Sequence, residues 1–352
     1  LIGAACRLIK WHLDEMRHLA WWWWCAAACA AVGDAPPPPR YEVPKVAVAE
    51  ALLAGDGNGT LAEACGPPSR LGVSLLARLY FYAFVTTDDP ELLEHFLEFY
   101  AQRGVDFATP GRSRIYVNPG LNKTRAKDRR VHRILLAFVK DAYGANVRSA
   151  PVFSSDIKRD LANDFLRELP RDGLLMFPDL DEFFDAPPAL VEASAETYGG
   201  FVLGHMVDRV ARDWRLSRMH RRSKIWGQYP LRCAATHERF HASNMKWIVV
   251  PKRDPWGNAV KFTSAHHVNS ERRFDDVYKR MPSHAFSHYR FGGHSYDLLK
   301  RKHGVYLASG NPRAHIYGVI LSYVDHAKNG TSRLNDEFRK KVRCGAPCPG
   351  KA

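Results

Sequence analysis

The chain is short of several things, and each shortage closes off a class. Carboxylates are outnumbered, with 37 Asp and Glu against 51 Lys and Arg in 352 residues, a net charge of +14. Cysteine is sparse at 7 residues, which excludes a scaffold in which disulfides replace a core. No internal repeat occurs, so solenoids and propellers drop out. What remains is globular material: 46% of residues are hydrophobic and 12% aromatic, far more than a disordered chain or a coiled coil holds. The length suits one large domain or two small ones. The basic surplus fixes the sign of a partner but not its class: nucleic acid, an anionic membrane and a phosphorylated substrate all qualify.

A full-length hydrophobic span is also lacking near the N-terminus. Fifteen uncharged residues run from Leu19 to Gly33, including the four tryptophans Trp21 to Trp24. As a helix they would reach about 22 Å, short of the about 30 Å hydrocarbon core. Arg7, Lys10 and Arg17 precede the run, and small residues follow Trp24, as before a signal-peptidase site. A cleaved signal, a marginal single-pass anchor and a buried core helix compete. Four consecutive tryptophans make a poor amphipathic face, which favours the first two. Residues 1–35 are therefore expected to be a signal or membrane anchor, and 36–70, opening with Pro36 to Pro39, a stiff stem. Asn58, Asn122 and Asn329 begin glycosylation sequons. Beyond the apolar run stand Cys65, Cys233, Cys344 and Cys348, and a Cys344–Cys348 bridge is the natural staple for a basic tail. These features point to the secretory pathway, either a Golgi membrane in single-pass type II orientation or secretion.

From Leu71 to Glu182 apolar strand-like runs alternate with helical periodicity. Val73 to Val85 reads as a buried strand, and Asp88-Asp89-Pro90-Glu91 as a helix start. Residues 115–118 form a second strand, 127–143 a helix, 147–153 a third strand, 157–169 a helix and 173–177 a fourth strand. Such alternation predicts an α/β fold, a doubly wound and mostly parallel sheet with flanking helices. Ligands in these sheets bind beyond the carboxyl ends of the strands. The fourth strand ends in Pro178-Asp179-Leu180-Asp181-Glu182-Phe183.

Three carboxylates within four residues beside a buried strand are electrostatically awkward unless paired. In an extended segment Asp179 and Asp181 lie on one side, where they can share a hard divalent cation. Oxygen ligands favour Mg²⁺ or Mn²⁺, and such ions also hold substrate phosphates. A solvated acidic turn is the plain alternative, disfavoured by the flanking strand, Phe183 and Phe184. An aspartyl-nucleophile phosphatase places its D-x-D after the first strand, unlike this chain.

The segment Asn163 to Leu169 followed by Asp172 to Phe183 resembles the central signature of glycosyltransferases with the nucleotide-sugar-binding GT-A fold, above all the family 2-like and family 92-like groups with D-x-D-E-F. Residues 95–106, 206–210 and 287–291 are similar to further blocks of those families, so the likeness covers about residues 75–302. It implies a single GT-A domain over 71–302 and a C-terminal extension with a basic tail over 303–352. It further implies a metal-dependent enzyme that transfers a sugar, with inversion, from a nucleotide-sugar donor to a hydroxyl acceptor on a glycan or glycoconjugate. On this resemblance Asp181 ligates Mn²⁺ (or Mg²⁺), and Asp179 ligates it or meets the donor ribose. Glu182 orients the loop or the sugar. Asp88 and Asn118 stand at strand ends for nucleotide contact, although Asn118-Pro119-Gly120 replaces the Asp/Asn-rich turn usual there. Lys158 and Arg159, or Arg125, would meet the diphosphate. A histidine ligand is expected from His288 or His267, with His266 and His284 behind them. Asp208 is the first candidate for the base that takes the acceptor proton, and Glu238 the second.

Two other classes compete. The histidines lack H-E-x-x-H spacing, which argues against a zinc hydrolase. Arg209, Arg212, Arg215, Arg218, Arg221, Arg222 and Lys224, with Trp214 and Trp226, could bind nucleic acid, but no nucleic-acid module is recognisable. A catalytically inactive sugar- or nucleic-acid-binding protein is the remaining alternative.

Overall fold

The computed structural model describes residues 68–86, 90–118, 126–143, 146–149, 155–216, 219–234, 245–264, 267–269, 281–291, 295–308, 310, 313–327 and 331–345. The expected leader, the sequon asparagines, Cys65 and Cys348 lie outside the described residues, as does all but the last part of the expected stem. Among the described residues no helix is long and apolar enough to cross a membrane. The described residues all belong to one compact unit, 46–352.

The first expected strand divides in two. Val73–Arg78 is a helix, α1, and only Leu79–Thr86 is the strand β1. The physical reason lies in composition. Leu75-Leu76-Ala77-Arg78 are strong helix formers, whereas Tyr80-Phe81-Tyr82 and Phe84-Val85 are aromatic or β-branched. Helix α2 (Pro90–Gln102) follows with Pro at its first position. Then come β2 (Ser113–Asn118), α3 (Ala126–Tyr143), β3 (Val147–Ser149), α4 (Ser155–Glu168) and β4 (Leu174–Met176). The short β5 (Glu182–Phe183), α5 (Pro188–Thr197) and the long β6 (Val202–Val210) complete this half.

Downstream lie α6 (Ile225–Gln228), β7 (Leu231–Cys233), β8 (Met245–Pro251) and β9 (Ser283–His288). The helices α7 (Ser295–Ala308) and α8 (Arg313–Ser322), the hairpin strands β10 (Val324–His326) and β11 (Ser332–Leu334), and α9 (Asp336–Lys341) close the chain. The main sheet runs β3-β2-β1-β4-β8-β6-β9-β5, with β7 paired to β6. It is parallel through β3, β2, β1 and β4, and β6 and β9 are again parallel. Strand β8 enters antiparallel between β4 and β6. This is the α/β sheet with flanking helices that the alternation implied.

Alternation along β1 sends successive side chains to opposite faces. Phe81, Ala83 and Val85 join the core that holds α2, while Tyr82 and Phe84 join the core that holds Phe165 and Leu166 of α4. Helices thus cover both faces, and functional groups are left to the strand ends. A third cluster joins the C-terminal segment to the sheet, packing Phe291, Leu299, Ile320, Leu334, Phe338 and Val342 against Val210 and Leu216. Helix α7 begins before residue 302 and continues past it. The expected Cys344–Cys348 staple is corrected here: Cys344 is bonded to Cys233 across 111 residues. Backbone bonds from Ala234 N to Arg343 O (3.0 Å) and from Gly345 N to Arg232 O (2.9 Å) bring the two cysteines together.

Candidate active site at the carboxyl ends of the strands

Strands β1, β2, β4, β6 and β9 point the same way, so their carboxyl ends form one rim, and β8, running oppositely, begins on it. The acidic segment lies on this rim. Asp179 still bridges to Phe84 of β1, and three residues later Glu182 pairs with His288 of β9. Aromatic packing holds the segment in place. Phe183 has its ring centroid 5.0 Å from Phe99 and 4.8 Å from Tyr289. Two backbone oxygens are tied down: Tyr289 N donates to Asp181 O at 2.7 Å, and the Tyr100 hydroxyl donates to Glu182 O at 2.9 Å.

Around Asp181 the side chains form a line. His288 is buried at the end of β9 and faces Asp181, with Nε2 and Oδ2 3.3 Å apart. Its other ring nitrogen, Nδ1, is 2.8 Å from Oδ1 of Asp208, which is fully buried on β6 directly opposite His288. Burial alone would lower the pKa of His288, and Arg290 acts in the same sense. The Asp181 carboxylate and the hydrogen bonds to both carboxylates outweigh them, and His288 is pushed up to about 9. Burial likewise raises the Asp181 carboxyl, but the His288 cation, with Lys302 and Arg290, holds it well below the usual carboxylate range.

Asp179 is turned to different partners. It pairs with Nζ of Lys158 on α4, and Nζ of Lys246 at the start of β8 is 3.3 Å from its Oδ2. Lys246 also reaches Oε2 of buried Glu182 at 2.5 Å, and Asp179 N donates to the same oxygen at 2.7 Å. Both lysines are buried and lie over the ring of Phe177, at 4.6 and 5.1 Å from its centroid. Two cations and two carboxylates are thus linked in one set beside the Asp181–His288–Asp208 line.

The remaining expected residues divide clearly. Asn118 is buried at the end of β2, beside Thr86 of β1. Arg159 is paired with Asp156 and Asp160 on its own helix, whereas its neighbour Lys158 is the one that pairs with Asp179. His267 is exposed in a turn, where its backbone N and O bond to Ser264 and Thr263, and it is not joined to Asp181. His284 is buried on Ser194 of α5. Asp208 and Glu182 both have their carboxylates on internal partners. Asp88, Arg125, Glu238 and His266 lie outside the described residues. Among the described residues no three His, Cys, Asp or Glu side chains gather as a metal cluster.

Sequence reasoning missed Lys246 and the buried Arg209–Asp185–Ser287 set, in which Nε of Arg209 donates to Ser287 Oγ at 2.7 Å. The available signal was a lone lysine opening the apolar run Trp247 to Pro251, and a lone arginine inside apolar β6. Four members of the basic stretch Arg209 to Lys224 have intramolecular carboxylate partners, three of them on the exposed surface. Arg209 reaches Asp185, Arg215 reaches Asp213, and Arg221 and Lys224 pair with Glu94 and Glu98 of α2.

No family model matches the chain, and no curated protein matches it. Among solved structures, the glycosyltransferase TarS of S. aureus (residues 1–349) is similar over 69% of this chain and 71% of its own, at 8% identity and a TM-score of 0.23. The inositol-1-phosphate CTP transferase of T. maritima is similar over 60% and 85%, at 13% identity and a TM-score of 0.25.

Proposed function

We propose that this chain is a metal-dependent glycosyltransferase that moves a sugar from a nucleotide-sugar donor to a hydroxyl acceptor on a glycan or glycoconjugate. The observation that carries this reading is the Asp181–His288–Asp208 line at the carboxyl ends of the strands, flanked by buried Lys158 and Lys246. A divalent cation suits Asp181 and His288, because an oxygen and a ring nitrogen face each other there. Asp208 fixes the second ring nitrogen, as carboxylates do behind metal-bound histidines. Asp179 suits it less, since two ammonium groups already neutralise that carboxylate. When bound, Mn²⁺ or Mg²⁺ would offset charge on the departing nucleoside diphosphate.

The protein's own groups take these roles. Asp208 orients His288. Glu182, through Lys246 and the backbone N–H of Asp179, fixes the shape of the acidic loop. Lys158 and Lys246 hold Asp179 in place beside the position a diphosphate would occupy, and their ammonium groups are the donors nearest to it. Asn118 borders the nucleotide side. Placement in the secretory pathway, with the N-terminal run as anchor or signal, belongs to the same proposal and rests on the sequence features of residues 1–70.

The test is turnover of UDP-, GDP- and CDP-linked sugars by the full chain, with Mn²⁺ and with EDTA. Hydrolysis or transfer from at least one donor is expected, lost on chelation and lost in Asp181→Asn. Turnover that survives both would contradict the metal assignment. Absence of turnover and of nucleotide binding with every donor would contradict the transferase reading.

A further inference from the structure

The end of the sheet opposite the acidic loop carries a second concentration of charge, and the proposed transfer does not use it. Leu79 of β1, Leu174 of β4 and Pro251 of β8 lie side by side in register at that end. Just beyond them Arg171, Lys252 and Arg253 line one open cleft of about 340 Å³. Lys252 Nζ donates to the carbonyls of Arg167 and Leu169 at the end of α4, and Arg253 donates to Gly257 O at 2.6 Å. Among the described residues no ion pair neutralises any of the three cations. The adjoining Asp254 carboxylate is buried and accepts from Trp256 N and from Asn258, within its own turn. Exposed Asp172 adjoins Arg171 and accepts from Arg78 Nε at its carbonyl at 3.1 Å, so this fourth cation is offset by the Asp172 carboxylate and the cleft keeps a charge of three.

Apolar groups stand beside this charge. The turn that bears Arg253 presents Trp256, 56% exposed, and α1 at the same end presents Val73, 82% exposed. An aromatic ring at the tip of a basic turn suits the boundary between headgroups and acyl chains. The segment entering α1 lies at this end, where Leu71 N donates to Arg103 O at 2.9 Å.

We infer that this end of the sheet docks on an anionic phospholipid surface, with Arg171, Lys252 and Arg253 receiving a headgroup phosphate and Trp256 seated at the interface. A single cleft fits a headgroup better than a polynucleotide, whose backbone calls for a stripe of cations.

The test is hydrogen–deuterium exchange and co-sedimentation of the full chain with phosphatidylcholine vesicles, either alone or with about 30% phosphatidylserine. The amides of 252–258 should slow on the anionic vesicles and not on the neutral ones. Arg171→Gln/Arg253→Gln should reduce the excess binding to anionic vesicles by about fivefold per charge removed. Arg171→Lys/Arg253→Lys should restore it, and Trp256→Ser should abolish the local slowing. Equal slowing on both vesicles, no slowing while the chain is bound, or stronger slowing by a random oligonucleotide would overturn the inference. So would double-Lys and double-Gln variants that bind alike.

Discussion

Lys246 is the residue on which most of the acidic loop depends, because its one ammonium group satisfies Glu182 and supports Asp179 from a position almost wholly out of water. Removing one member of a buried ion pair costs far more than the pair contributes, since the remaining charge loses its compensation. Lys246→Met should therefore destabilise the protein by about 3–5 kcal/mol, and adding Glu182→Gln should recover part of that, as urea denaturation would record. The sequence marks Lys246 only as a lone lysine opening an apolar run, and its partner Glu182 is 64 residues away. The acidic triplet, by contrast, was legible because its carboxylates are adjacent in sequence and follow an apolar strand. A second residue-scale prediction concerns His95 on α2, buried with Nε2 on His220 O at 3.1 Å. Burial lowers its pKa in the folded state, so the unfolded chain takes up a proton first as pH falls. Its contribution is present above the ordinary histidine pKa of about 6.5 and is lost as pH drops through that value. His95→Gln should flatten the acid-side slope of urea midpoint against pH, and an unchanged slope would show that His95 is not its source.

At the scale of elements, the site rests on β6, whose nine residues are all buried although they include His205, Asp208 and Arg209. The apolar run Gly200 to Val207 marks this strand in the sequence but does not say that its polar residues face neighbouring strands rather than water. Close approach to those neighbours is set by Gly204. A Cβ there would lie 2.6 Å from Ile248 of β8 and 2.7 Å from Phe286 of β9. Gly204→Ala should cost about 1–3 kcal/mol by overpacking both neighbours, measurable as a lowered Tm. The misread start of β1 has a similar lesson: α1 and β1 are both apolar, and a continuous apolar run does not by itself separate a buried helix from a strand.

At the scale of the whole molecule, cations among the described residues fall in three settings, and those paired with carboxylates add nothing to the +14 surplus. Some cations compensate buried carboxylates at the acidic rim, some pair along α2, and some gather uncompensated at the opposite end. Composition gave the sum, and only the fold assigns it. The C-terminal segment shows the same limit, because the partner of Cys344 lies 111 residues back and local spacing suggested Cys348 instead. Reduction, or Cys344→Ser, should lower stability by about 2–4 kcal/mol in denaturation with and without reductant, with the cluster around Phe338 loosening first. The central claim is that Asp181 and His288, oriented by Asp208, hold a divalent cation that secures a nucleotide-sugar. Calorimetric titration of UDP, GDP and CDP into the full chain with Mn²⁺ tests it most directly, in wild type, Asp181→Asn and Asp208→Asn. One nucleotide should bind wild type only with Mn²⁺, fail to bind Asp181→Asn, and bind Asp208→Asn at least about 10-fold more weakly. Binding of equal strength in all three proteins, with or without Mn²⁺, would contradict the assignment.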